Sequence, residues 1–333
     1  MSRPLVSVVT PTYNRRDYLA ACIESVRAQT FPLWEQIIVD DGSTQDIRGL
    51  VASYDDPRLR YVRQAHAGID RLGQTYNRAL AEARGRFVAI LESDDLWPRD
   101  KLARQLPSLD DPRTVLSYGR ARLIDADGEP FATTPPPPRP GRVRDNLPAG
   151  AILERLLFHN FIVSPTVIVR RRALDAIGGF RQPPYCQFVD YPTYLALALE
   201  GRFAFVDEHL GAWRRHEGQQ TFTGAAPVLR AGRLCAREFF DAAREAGRLP
   251  ASIAALDAGL RRHDARIEDY ARFLDGRRHL LQRRWPQARH AFWSLRTSRW
   301  TPLRAAALVG LAGSLLHFDI EPVCCRAGMF AYR

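Results

Sequence analysis

Apolar positions along the first hundred residues alternate between unbroken β-branched runs and helical spacing. Residues 5–10 predict a strand, and Pro11 through Asn14 predict the turn that stops it. Over 17–29, Tyr18, Leu19, Cys22, Ile23 and Val26 share one helical face. A second strand at 36–40 ends in Asp40 and Asp41, and Ser43 or Thr44 is placed to cap a helix running towards Tyr54. A third strand covers 59–62, a helix 74–83, and a fourth strand 87–91 closes on Glu92, Asp94 and Asp95. This alternation predicts an α/β fold, a mixed, largely parallel sheet flanked by helices. In such sheets ligands bind beyond the carboxyl ends of the strands, so the three polar strand ends should converge in one crevice.

The pattern continues with a helix at 97–106, a strand at 114–124 and a turn at 125–128. Residues 133–148 are proline-rich and basic, which predicts an extended loop: a surface excursion or a lid over an anionic substrate. A helix at 151–159, a strand at 165–169, a turn at Gly178, Gly179 and Phe180, a helix at 188–198 and a strand at 203–206 follow. Past 223 the strand signals vanish. The expected division is an α/β domain over 1–223 and a C-terminal helical region over 224–333. There, 266–282 and 285–297 read as a helical hairpin broken at Pro286. The apolar segment 303–318 packs on that hairpin or rests on a membrane; it is shorter than the roughly 20 residues a spanning helix needs.

Composition adds little to the fold but narrows the chemistry. The formal charge is +11 over 333 residues, and Lys101 is the single lysine among 48 basic residues. Such a balance favours anionic partners: nucleotides, phospholipid surfaces or nucleic acid. No interleaved aromatic and basic recognition motif accompanies it, so nucleic acid is not expected. The five cysteines form no CxxC pair and are odd in number, which predicts reduced thiols in a cytoplasmic protein. A first strand within five residues of Met1 leaves no room for a signal peptide. Neither a G-x-G-x-x-G after the first strand nor a G-x-x-x-x-G-K-[ST] occurs, which argues against a dinucleotide fold or a P-loop. Glu92, Asp94 and Asp95 at a buried strand end are either an acidic surface turn or oxygen ligands for a hard divalent cation, Mn²⁺ or Mg²⁺. A nucleotide held through such a metal fits these acids.

Four stretches together resemble the family 2 glycosyltransferases, with the GT-A fold. They are Val6 to Asn14 (VSVVTPTYN), Ile38 to Ser43 (IVDDGS), Asn77 through Gly85 to Asp95, and Asn160 through Gly178, Gly179 and Phe180 to Asp190. The resemblance covers roughly 3–221. It implies that Pro11, Thr12 and Tyr13 line the nucleotide base and that Asp41 accepts a hydrogen bond from it. Arg71 would lie near the nucleotide, and Glu92 and Ser93 near the ribose. Asp94 and His216 would hold the metal, with Arg214 beside the diphosphate. Asp190 would be the general base; on its own residues it could also cap the helix that follows, and one residue could do both. Three positions depart from the family pattern: Glu92 stands where Asp is usual, Tyr76 where Arg is common before Asn77, and Val189 where Glu is usual.

What the resemblance implies is a metal-dependent, inverting transfer of a sugar from a nucleoside-diphosphate sugar, with UDP expected, to an acceptor hydroxyl in bacterial cell-surface glycan synthesis. The acceptor would be a glycan or a lipid-linked glycan. The chain would work in the cytoplasm, peripheral to the membrane through its C-terminal helices. The competing expectation is a degenerate homologue that binds nucleotide sugar without transferring it, motivated by the three departures.

Overall fold

The computed structural model describes residues 3–134, 151–216 and 225–317. The proline-rich stretch lies outside the described residues from 135 on. The chain divides into two compact units, one of 1–222 with 235–255, the other of 223–234 with 256–333.

The first unit is built on one eight-stranded sheet: β1 (Val6–Thr12), β2 (Trp34–Asp40), β3 (Leu59–Arg63), β4 (Phe87–Ile90), β5 (Thr114–Ile124), β6 (Pro130–Thr134), β7 (Ile168–Arg170) and β8 (Arg202–Arg214). The order is β3-β2-β1-β4-β7-β5-β6, with β8 also on β5. Strands β3, β2, β1 and β4 run parallel, β7 is antiparallel to β4 and β5, and β8 runs parallel to β5. This is the mixed, largely parallel sheet that the sequence pattern predicts. Every residue of β1, β2 and β4 is buried, because helices cover both faces. Those helices are α1 (Arg16–Arg27), α2 (Ile47–Ala52), α3 (Leu72–Glu82), α4 (Lys101–Gln105), α5 (Ala151–Leu156), α6 (Arg171–Ala176) and α7 (Asp190–Leu197). Leu19, Ile23, Ile38, Ile47 and Val51 form one core cluster, and Val6, Val8, Trp34, Phe87 and Leu102 lie in another.

Several boundaries differ from expectation, each for a local reason. Strand β1 passes through Pro11 rather than stopping there. Val9 O accepts from Leu91 N on the β4 side and Thr12 O from Asp41 N on the β2 side, so Pro11 faces β4. That pairing ends at Val9, and the missing proline N–H therefore costs no ladder bond. The cap of α2 is Asp46, which accepts from Gly49 N at 2.8 Å. Ser43 instead donates its N–H to Asp40 at 2.8 Å. Strand β8 continues from Arg202 to Arg214 with register shifts against β5, well past the expected 203–206. Those shifts absorb the polar stretch Asp207 to His209, which hid the strand from a hydrophobicity reading.

In the second unit the hairpin is α10 (Asp257–Leu281) and α11 (Trp285–Ser294), with α12 (Thr301–Leu316) following; α8 (Ala225–Glu245) and α9 (Ala251–Ala254) precede them in the chain. Of the two fates expected for the apolar segment, packing is the one seen: Leu303 and Ala307 join Phe273, Phe292 and Leu295 in a core. Its other side leaves Leu308, Leu315 and Leu316 exposed. Among the described residues no helix is long and apolar enough to cross a membrane. Cys22, Cys186 and Cys235 are buried and free.

Candidate functional site

Because β1, β2 and β4 are parallel, their carboxyl ends open on the same edge of the sheet. Asn14 stitches the first two together. Its N–H donates to Ser43 Oγ at 2.9 Å, and its Oδ1 accepts from Thr44 N at 2.8 Å. Asp40 is fully buried and serves the frame, accepting from Ser43 N, Tyr61 Oη and Arg63 Nη1. Asp41 organises the next loop. Its Oδ1 accepts from Gln64 Nε2 at 2.7 Å and Ala67 N at 2.9 Å, and its Oδ2 from Gly68 N at 3.0 Å. His66 Nδ1 stands 3.0 Å from the same Oδ2, and its ring stacks on Tyr13 at 4.1 Å. Tyr13 is 42% exposed, so the stack presents a flat aromatic face to solvent. Beside it, Thr12 Oγ1 is buried without a hydrogen-bond partner, and Pro11 completes the strand end.

The end of β4 carries the acids. Glu92, Asp94 and Asp95 each offer a carboxylate oxygen within 4.8 Å of the others, with Ser93 buried between them. Burial, then the Asp94 charge, pushes the Glu92 and Asp95 carboxyls above the ordinary carboxylate range. Asp95 turns inward and accepts from Arg214 N at 2.9 Å. The bridge between Leu96 and Ala212 brings the end of β8 to this point, which is how His216 reaches Asp94 across 122 residues, Nε2 to Oδ2 at 3.0 Å. The Arg214 guanidinium is spent on backbone: Nε donates to Asp94 O at 2.8 Å, and Nη1 to Asp125 O and Ala126 O at 3.0 and 2.8 Å. It lies over the Tyr18 ring at 4.8 Å.

Sequence reasoning passed over Arg15. Its Nη1 is 2.8 Å from His216 Nε2 and 3.9 Å from Asp94 Oδ2. The one available signal was a basic residue directly after the first strand's turn. One ring nitrogen cannot donate to Asp94 and accept from Arg15 at once, so three side chains compete for one small volume. Carboxylate oxygens with a single imidazole nitrogen are a donor set that suits Mn²⁺ or Mg²⁺, and the residues present fit such an ion.

Tyr76 donates its hydroxyl to Glu92 Oε1 at 2.9 Å. The next residue, Asn77, ties the two halves of the unit: its Nδ2 donates to Phe180 O at 2.9 Å and its Oδ1 accepts from Phe180 N at 2.8 Å. Gly178 and Gly179, both at positive φ, let the backbone turn against it. Asp190 heads α7, whose start has no side-chain cap bond from Val189. Asn160 Nδ2 donates to Asp190 Oδ2 at 2.8 Å. Burial raises the Asp190 carboxyl, while Asn160 and the amide of Tyr191 hold it down. Its charge is felt at Glu92 and at the Tyr76 hydroxyl, so Asp190 lies near the acids of β4. Arg71 is exposed at the end of the short turn Ile69–Arg71; among the described residues, no hydrogen bond or ion pair joins it to another candidate.

The chain is similar to several known proteins. The model of the family described as glycosyl transferase family 2 matches residues 7–178. TuaG of Bacillus subtilis, a putative teichuronic acid biosynthesis glycosyltransferase, is 33% identical over 218 residues, 64% of this chain and 79% of TuaG. WfgD of Escherichia coli, a UDP-Glc:alpha-D-GlcNAc-diphosphoundecaprenol beta-1,3-glucosyltransferase, is 34% identical over 121 residues, which cover 36% of this chain and 47% of WfgD. Staphylococcus aureus TarS in complex with UDP-GlcNAc superposes with a TM-score of 0.55 at 19% identity, over 98% of this chain and 93% of that one. The mannosyltransferase PcManGT of Pyrobaculum calidifontis, solved with GDP-Man and Mn²⁺, gives 0.56 at 20% identity, over 95% and 81%. At these identities the structures speak for the fold alone, which is of the GT-A type. By its family match and its relatives, the chain belongs to glycosyl transferase family 2.

Proposed function

We propose that this protein transfers a sugar from a UDP-sugar, with inversion, to an acceptor hydroxyl on a glycan or lipid-linked glycan of the bacterial cell surface. One observation carries the reading: His216 and Arg15 meet at Asp94, and Asp190, held by Asn160, lies near enough to Glu92 at the same acidic strand end for its charge to act there. An in-line displacement needs a base on one side of the anomeric carbon and positive charge on the other. Asp190 takes the acceptor's proton, and Asn160 aims the carboxylate. Arg15 faces the leaving diphosphate. Asp94 and His216 are the residues that hold Mn²⁺ or Mg²⁺, which when bound supplies charge to the departing diphosphate as a Lewis acid. The stacked Tyr13 and His66 offer a face for the base, with Thr12 and the Asp41 loop beside it, while Glu92 and Ser93 face the ribose. UDP and a surface glycan are supported by what WfgD and TuaG are named for, and UDP also by the TarS complex. A peripheral membrane contact through the C-terminal helices is supported by the exposed Leu308, Leu315 and Leu316.

The experiment is calorimetric titration with UDP, GDP and dTDP, with and without Mn²⁺, on the wild type and on Asp94→Ala. UDP should bind tightest, only with Mn²⁺, and the variant should lose it. Metal-independent binding would favour the degenerate homologue, and failure of all three nucleotides would remove the donor site.

A further inference from the structure

The amino ends of the strands carry a second feature that the transfer reaction does not use. Arg3 precedes β1, Leu33 precedes β2, and Arg84 and Arg86 lead into β4. Because β7 is antiparallel, Arg170 at its end pairs with Phe87 at the start of β4. A groove of about 690 Å³ opens there. Six arginines line it (Arg3, Arg84, Arg86, Arg170, Arg171 and Arg172) against a single acid, Asp175. Its apolar floor is Pro4, Leu5 and Leu33. Strand β1 runs seven residues, so at about 3.3 Å per residue the groove lies roughly 20 Å from the crevice.

Elsewhere in this unit arginines take carboxylate partners, as Arg58 does with Asp56, Arg60 with Glu82 and Arg63 with Asp40. In the groove only Arg171 does, its Nε standing 3.8 Å from Asp175 Oδ2; the guanidinium groups of the other five have no carboxylate partner among the described residues. Arg170 is 1% exposed and donates only to backbone, to Thr114 O, Leu109 O and Asp111 O. Burial and the charges of Arg86 and Arg172 pull its pKa down. Arg172 donates to Pro112 O. The side chains of Arg3, Arg84 and Arg86 make no hydrogen bond or ion pair among the described residues. Gly85 fixes the two flanking arginines close to the sheet: a Cβ there would stand 2.6 Å from Ser7 N. Like charges gathered around a concave apolar floor are costly until an anion joins them.

We propose that this groove is a second anion site, taking a phosphate or diphosphate group carried on an apolar body. Guanidinium forks match phosphate oxygens in pairs, and Pro4, Leu5 and Leu33 accommodate the body. The site binds without a metal and stands apart from the sugar-transfer crevice.

The test uses the full chain in EDTA, in the Asp94→Ala background, titrated by calorimetry with inorganic pyrophosphate and separately with monomeric dihexanoylphosphatidylglycerol. Binding should persist under these conditions and weaken about tenfold or more in Arg84→Gln/Arg86→Gln. A control pair on α10, Arg261→Gln/Arg262→Gln, should leave it unchanged. Tighter binding of the lipid identifies a headgroup ligand, and tighter binding of pyrophosphate a free organic phosphate; either supports the site. No binding of either, or equal weakening in the control pair, overturns it. Because these conditions disable the crevice, the result is independent of the UDP titration.

Discussion

At the scale of single residues, two departures from the family pattern prove to be partners. Tyr76 stands where an arginine is common, Glu92 where an aspartate is usual, and the tyrosine hydroxyl donates to the glutamate. A neutral donor has replaced a charged one while the longer acid reaches to meet it. The neighbouring Asp190–Asn160 pair yields a prediction with a definite sign. A general base must be ionised to accept a proton. Burial raises the Asp190 carboxyl, so the acid limb of kcat/KM lies above the pH expected of an ordinary aspartate. Asn160 opposes that shift by donating to the ionised form. Asn160→Ala should therefore move the limb further up in pH, with much of the rate recovered on the alkaline side. A pH profile of kcat/KM reads this directly. A limb that stays put in the variant would show that Asn160 does not tune the base.

Among the elements, α12 is one at which sequence pattern and packing diverge. Gly310 reads in the sequence as a flaw in an apolar run. In the structure it is a fit: the Phe292 ring of α11 lies between Gly276 of α10 and Gly310 of α12. A Cβ would meet ring atoms at 2.8 Å and 2.6 Å respectively. Glycine-to-alanine changes inside helices ordinarily gain ~1 kcal/mol. Gly310→Ala should instead cost about 1–3 kcal/mol through overpacking, read as a lowered unfolding midpoint; a stabilised variant would show that the ring has room to move. The same contrast explains what was legible. Periodicity located β1, β2, β4 and β5 by their apolar, largely β-branched stretches, and the strand ends then pointed to the crevice. It shortened β8, whose middle carries Asp207, Glu208 and His209. The resemblance placed Arg214 near the diphosphate; its guanidinium also donates to the carbonyls of Asp94, Asp125 and Ala126, contacts that no hydropathy pattern records. Arg15 carried only its place after the first strand's turn, since its contact with His216 arises only when β8 brings the two alongside.

At the scale of the whole molecule, the two units keep separate cores. Val6, Trp34, Phe87, Leu102 and Ile168 belong to one, and Phe273, Phe292, Leu303 and Ala307 to the other. Residues 235–255 go with the first: Tyr185 Oη donates to Glu238, and Arg248 Nη2 to Glu200 at 2.8 Å. All candidate site residues, from Pro11 to His216, lie in that first unit. A chain shortened after Ala255 should therefore fold and keep its Mn²⁺-dependent affinity for UDP within about twofold, since distant, independent sites behave additively. The membrane contact should behave differently. Exposed Leu308, Leu315 and Leu316 go with the deleted helix, so sedimentation with anionic vesicles should fall in the shortened chain. Retained vesicle binding would move that contact to the first unit, where the arginine groove is the surface to change next. A loss of UDP binding would show instead that the helical region completes the donor site.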